Sequence, residues 1–286
     1  MRIINTYPAM LAAYEGTAFR FEKWRSYLDS VLPGAASLFI SDMKQCLATG
    51  KVSWENDYLP VLNAAALHDE LREKANDSFC RATENLERSL YDKFGKSLDV
   101  DVIFYLGLCN GAGWVTEYQG RKAVFLGIEK IMELNWCGTD DMYGLIYHEL
   151  GHVYQWQYGV LDRTFRHHAD RFLWQLFTEG IAMYFEQALV GDPDYFHQDK
   201  DGWKAWCDGH FEEIKADFDR DLKTMTPATQ RWFGDWAEYH GRGDVGYYLG
   251  CRFVRDILSM YGLDEMICFD MDIVAQLYRR FIDAPK

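Results

Sequence analysis

The 286-residue chain lacks the features that mark most membrane, secreted and nucleic-acid-binding proteins. No apolar run approaches the ~18 consecutive residues that a membrane-spanning helix needs. The opening Met1-Arg2-Ile3-Ile4-Asn5-Thr6-Tyr7-Pro8 holds no uninterrupted apolar core, which argues against a secretory signal. Seven cysteines (Cys46, Cys80, Cys109, Cys137, Cys207, Cys251 and Cys268) are scattered without a C-x-x-C pair. That pattern suits neither a disulfide framework nor a thiolate zinc site, and points to reduced thiols in a cytoplasmic protein. Positive charge is also scarce, with 30 Lys and Arg against 44 Asp and Glu and a net charge of −14. A phosphate-binding surface shows a basic footprint, so neither nucleic acid nor a membrane is an expected partner. The acidic residues are spread along the chain, which suits solubility better than steering of a cationic ligand. Internal repeats, low-complexity tracts and long linkers are absent.

What is present is apolar and aromatic. Hydrophobic residues make up 49% and aromatics 16%, enough for a filled globular core. The ten tryptophans and eighteen tyrosines are expected mostly in that core, with some available to line a groove. Residues 1–98 read as a helical region packing on a catalytic domain formed by residues 99–286. Its clearest helix is expected from Leu62 to Lys93, through Leu67, Leu71, Phe79, Leu86 and Leu90.

From Asp99 the period changes. Val100, Val102, Phe104 and Leu106 alternate along a strand, Asn110-Gly111-Ala112-Gly113 makes a turn, and Trp114 to Tyr118 is a second strand. Gln119-Gly120-Arg121 turns into a third, Ala123 to Leu126. Thr139-Asp140-Asp141 then supplies a cap and first-turn acids for a helix ending at Gly159. Arg163 to Leu189 is the next helical stretch, stopped by Gly191-Asp192-Pro193, and Asp201 to Ile282 is helical again. The expected fold is mainly α with a small antiparallel β-sheet (α+β).

The helix after the sheet carries His148-Glu149-Leu150-Gly151-His152, an H-E-x-x-H motif. Residues four apart share a helix face, so both imidazoles reach one metal ion, and Glu149 lies beside it as a general base. A chance copy in a chain of this composition is on the order of one in a hundred. Leu145, Ile146, Tyr147, Leu150, Val153, Tyr154 and Trp156 surround the motif with apolar side chains. A helix apolar all round is buried, and buried His and Glu need partners, which one zinc ion supplies.

A catalytic zinc needs a third protein ligand and an open position. Gln155 and Tyr158 stand where a three-histidine motif places Gly and His, so the third ligand is sought downstream. The choices are Glu179 and Glu186, in Phe177-Thr178-Glu179-Gly180-Ile181-Ala182-Met183-Tyr184-Phe185-Glu186. Glu179 is the better one: it sits among Leu173, Leu176, Phe177, Ile181 and Ala182, where a lone carboxylate is costly. Gly180 and Ala182 are small enough to let this helix approach the first. Glu186 suits a helix surface or a supporting role. The adjacent His167-His168, near Arg163, Arg166 and Arg171, reads as exposed rather than as a second metal site.

The pair His148-Glu149-Leu150-Gly151-His152 and Thr178-Glu179-Gly180-Ile181-Ala182-Met183-Tyr184 resembles the gluzincin metallopeptidases, whose second motif has the form E-G-x-A-x-Y. More narrowly, residues 98–260 resemble a bacterial family of predicted zinc-dependent proteases, formerly a domain of unknown function. The resemblance implies a zincin-like domain, His148, His152 and Glu179 as ligands of one Zn2+, Glu149 as general base, and a peptide or protein substrate. It also implies a Tyr or His opposite the zinc to stabilise an oxyanion, for which Tyr247, Tyr248 and His240 are available and Tyr247 is favoured. Two features depart from the pattern: the longer spacing from His152 to Glu179, and the absence of a G-x-M-E-N motif, which weakens an aminopeptidase reading. An edge strand of the sheet, Trp114 to Tyr118 or Ala123 to Leu126, is expected to align an extended peptide by backbone pairing. The rival expectations are a non-catalytic zinc-binding protein and a hydrolase of non-peptide amides.

Overall fold

The first element is a strand, where the sequence suggests helix: β1 (Arg2–Asn5) opens the chain. The computed structural model describes residues 1–234 and 237–284. Two compact units divide the chain, Met1–Ile146 and Tyr147–Lys286.

In the first unit a 3-10 turn (Tyr7–Ala13) and the short β2 (Tyr14–Glu15) and β3 (Ala18–Phe19) lead into α1 (Phe21–Val31) and α2 (Ala36–Ala48). The single long helix expected from Leu62 to Lys93 is instead three: α3 (Leu59–Leu67), α4 (Asp69–Thr83) and α5 (Leu86–Phe94). His68 leaves helical geometry at φ −107° and ψ 74°. The buried Arg72 turns back there and donates to the carbonyls of Ala65 (3.0 Å) and Ala66 (3.2 Å). These are carbonyls that a helix end orphans, and the guanidinium satisfies them. Asn85 makes the second break, and Gly95 closes α5 in the left-handed region at φ +66°.

The sheet follows with β4 (Val100–Tyr105), β5 (Gly113–Tyr118) and β6 (Arg121–Gly127), then the short α6 (Ile128–Glu133). It is mixed, in the order β1-β4-β6-β5, rather than antiparallel. β4 runs parallel to β1 on one side and to β6 on the other, and only β5 and β6 are antiparallel. Gln119 (φ +51°) and Gly120 (φ +76°) join β5 to β6, and two positive φ angles define the tight hairpin turn that matches strand twist. β6 lies between β4 and β5, which leaves β5 at the edge. Burial agrees, since β4 is buried at all six positions and β5 is half-open. Asp101, fully buried on β4, is paired with Arg2 and with Arg121 (3.2 Å). Aromatics fill the core: Phe39 stacks on Tyr105 at 4.7 Å and meets Phe125 edge-on at 5.1 Å, with Trp24 fully buried beside it.

Helix α7 (Thr139–Tyr158) carries the motif and stops before Gly159, as the sequence suggests. The next helix, α8 (His168–Val190), starts five residues later than Arg163. The preceding backbone is committed elsewhere: Val160 N–H donates to Ile267 O, and Leu161 O accepts from Trp174 Nε1. The second unit continues with α9 (Trp203–Gly209), α10 (Phe211–Leu222), α11 (Val245–Leu258), α12 (Leu263–Met266) and α13 (Met271–Asp283). The stretch from Asp201 to Ile282, expected to be helical, is broken most widely between α10 and α11, where the described residues form turns and an isolated Tyr239–Arg242 bridge.

Small residues set the approach of α7, α8 and α11. A Cβ on Gly151 of α7 would lie 2.8 Å from Ala182 Cα on α8. A Cβ on Gly180 of α8 would lie 2.2 Å from the carbonyl oxygen of Gly250 on α11. Ala182 thus admits α7, as expected, while Gly180 admits α11 instead. Among the described residues, no helix is long and apolar enough to cross a membrane.

Candidate metal centre

Most of α7 is buried, although Trp156 near its end is exposed, so His148 and Glu149 sit where charge is costly. Ile146, Leu150, Val153 and Tyr154 are all buried. The four-residue step brings the rings of His148 and His152 to 5.0 Å between centroids, nearly perpendicular at 84°. From α8, the Oε2 atom of Glu179 lies 3.2 Å from His148 Nε2 and 3.2 Å from His152 Nε2. The three donor atoms fall within 4.8 Å of one another.

These distances fit a zinc ion. Ligands bound at ~2.0–2.1 Å around a tetrahedral centre lie ~3.3 Å apart along each edge of the tetrahedron. Two nitrogens and one carboxylate oxygen are also the donor types that a catalytic zinc takes. The cluster is not sealed: the side chains of His152 and Glu179 keep 14% and 13% of their surface open, against 5% for His148. A partly open third side suits a site that admits a further ligand.

Electrostatics divides the two motif carboxylates. Burial raises the Glu179 carboxyl, but His152 and His148 more than offset it and hold it at about 2. Glu149 is buried too, and no described residue hydrogen-bonds to its carboxylate. Burial lifts it above the usual carboxylate range, with His148 and His152 pulling it only partly back. A buried carboxylate without a hydrogen-bond partner, lifted above its usual range, takes up a proton more readily than a solvated one. His148 is raised as well, for a different reason: burial opposes its charge, but Glu179 and Glu186 outweigh that and lift it to about 10.

Behind His148 stands Glu186, fully buried and two turns along α8 from Glu179. Its Oε2 is 3.6 Å from His148 Nδ1. The same carboxylate accepts from His197, through the backbone N–H at 3.0 Å and the ring Nδ1–H at 2.9 Å. His197 is a residue that sequence reasoning misses, since it sits outside any helix, in Tyr195-Phe196-His197 after the Gly191-Asp192-Pro193 stop. Of the two places the sequence allows Glu186, a helix surface or a supporting role, the surface is excluded by its complete burial, and its seven-residue step from Glu179 puts both on one helix face.

The three residues considered for the oxyanion go to different places. Tyr247, in the first turn of α11, has its ring 5.6 Å from that of His148. Tyr248 points elsewhere, its buried hydroxyl donating to Asp208 Oδ1 at 2.7 Å. His240 is exposed and lies with Glu213 and Asp217 in a second group of metal-type side chains. There Asp217 is already neutralised by Arg220 (2.7 Å) and Arg231 (3.4 Å). His167 and His168 are exposed at the start of α8 and join neither group.

No protein-family model matches this chain, and no curated protein or solved structure does either.

Proposed function

We propose that this chain is a zinc-dependent metallopeptidase of the gluzincin type on a zincin-like fold, with His148, His152 and Glu179 as ligands of one zinc ion. The observation that carries the reading is the 3.2 Å spacing of the Glu179 oxygen from both histidine Nε2 atoms, with the unbonded Glu149 carboxylate next to them. A zinc bound there supplies Lewis-acid polarisation and lowers the pKa of a bound water toward neutrality. Glu149 takes the proton of the attacking water and delivers it to the leaving amine. Tyr247, beside His148, stabilises the charge that develops on the scissile carbonyl oxygen.

A purely structural zinc needs no general base and has a closed fourth position. The partly open His152 and Glu179, with Glu149 alongside, favour hydrolysis over a binding role. Peptide libraries and casein, assayed with small amides in parallel, test the substrate class. Cleavage of peptides by the zinc-loaded wild type, abolished in Glu149→Gln at unchanged zinc content, is the expected result. Retained cleavage in Glu149→Gln removes the mechanism. Bound zinc without hydrolysis of any substrate leaves a binding protein.

A further inference from the structure

We infer that His197 is a positioning residue: from a strap outside the helices it clamps Glu186 behind His148 and so fixes the metal-binding face of that imidazole. The inference rests on the metal site proposed above. Glu186 has no exposed surface, and a buried carboxylate accepts hydrogen bonds but cannot donate them. His197 Nδ1 must therefore carry its proton. With its backbone N–H it occupies both oxygens of Glu186, Oε1 at 3.0 Å and Oε2 at 2.9 Å. Two donors from one residue remove the carboxylate's freedom to rotate. Oε2 is thereby left facing His148 Nδ1, a buried nitrogen that makes no hydrogen bond in the fold. A proton on that Nδ1 leaves the lone pair on Nε2, the atom turned to Glu179 and His152.

The strap is built to hold this geometry. Tyr195 O accepts from Gln187 Nε2 at 2.8 Å, and Pro193 O accepts from Arg255 Nη2 at 2.6 Å. Gln198 Nε2 reaches Met183 Sδ at 3.7 Å. Residues on either side of His197 are thus tied to α8 and α11. The ring of His197 also packs against that of His148, 5.6 Å away and inclined by 68°, so a packing role must be separated from a donor role.

Two substitutions in the full chain make that separation. His197→Phe keeps a ring and removes the Nδ1 donor, whereas His197→Asn keeps a donor at the Nδ1 position and removes the ring. Zinc affinity is measured by competition with a chromophoric chelator, and folding by circular dichroism. His197→Phe is expected to bind zinc about ten- to a hundredfold more weakly, the usual consequence of losing a group that orients a ligand. His197→Asn is expected to stay within about threefold of wild type. Wild-type affinity in His197→Phe, or an Asn variant as weak as the Phe variant, overturns the inference. If His197→Phe does not fold, His197→Ala against His197→Asn makes the same comparison. The underlying metal reading fails separately. If wild type binds no zinc, or if His152→Ala binds as tightly as wild type, both readings fall; if His152→Ala loses zinc but His197→Phe does not, only the positioning role falls.

Discussion

Replacing Gly180 with alanine tests the close helix packing that presents Glu179. Helix propensity alone favours the substitution by about 1 kcal/mol, since Gly180 lies inside α8. Packing opposes it. The new Cβ would sit 2.2 Å from Gly250 O, 2.5 Å from Gly250 C and 2.7 Å from Val254 Cγ2. Ordinary contact begins near ~3.5 Å, so the shortfall is about 1.3 Å. The two nearest atoms are backbone and cannot swing aside, so α8 and α11 must separate. Overpacking of this kind costs about 1–3 kcal/mol and here belongs at the upper end. Net destabilisation of about 2 kcal/mol lowers the urea midpoint by about 1 M for an m-value of about 2 kcal/mol/M. Gly209→Ala is the control, because no atom lies within 4 Å of its Cβ. It is expected to be neutral or slightly stabilising. A Gly180→Ala protein as stable as wild type would refute the packing argument.

Other outcomes follow from single side chains. Glu129 is buried and its carboxylate accepts from the N–H groups of Gly107 (2.9 Å) and Cys109 (3.0 Å), yet burial raises it from 4.5 to about 7. Between those values the folded protein holds a proton that the unfolded chain has released, so stability present below pH 4.5 is lost as pH rises through about 7. The loss is about 3 kcal/mol in all, and urea midpoints measured across that range should show a slope that Glu129→Gln flattens. Tyr247→Phe should lower peptide turnover by about a hundredfold at constant zinc content. Tyr248→Phe should leave turnover unchanged, because its hydroxyl serves Asp208; equal effects of the two would refute the assignment of Tyr247. Asp101→Asn should destabilise the first unit by about 1–3 kcal/mol, read as a lower urea midpoint, because it breaks a fully buried partner of Arg2 and Arg121.

The helix-borne half of the site was legible because helical spacing is local. His148 and His152 share a face by their four-residue step, and Glu179 stands out as a carboxylate among apolar neighbours on the next helix. Sheet topology was not legible in the same way. The patterns of β4, β5 and β6 mark strands but do not record that β6 inserts between the other two. β1 escaped because four residues at a chain start carry too little alternation, and its partner lies about a hundred residues away. The breaks at His68 and Asn85 were hidden because the apolar period runs through them, while the compensating Arg72 contacts exist only in three dimensions. His197 had no sequence signal, since its role depends on a strap folding back onto α8.

The most direct measurement is zinc stoichiometry and affinity of the purified chain by metal analysis and chelator competition. The account predicts one tightly bound zinc per chain, lost in His152→Ala and in Glu179→Ala and retained in Glu149→Gln. Wild type without zinc, or a Glu179→Ala variant that holds it as tightly as wild type, would contradict it.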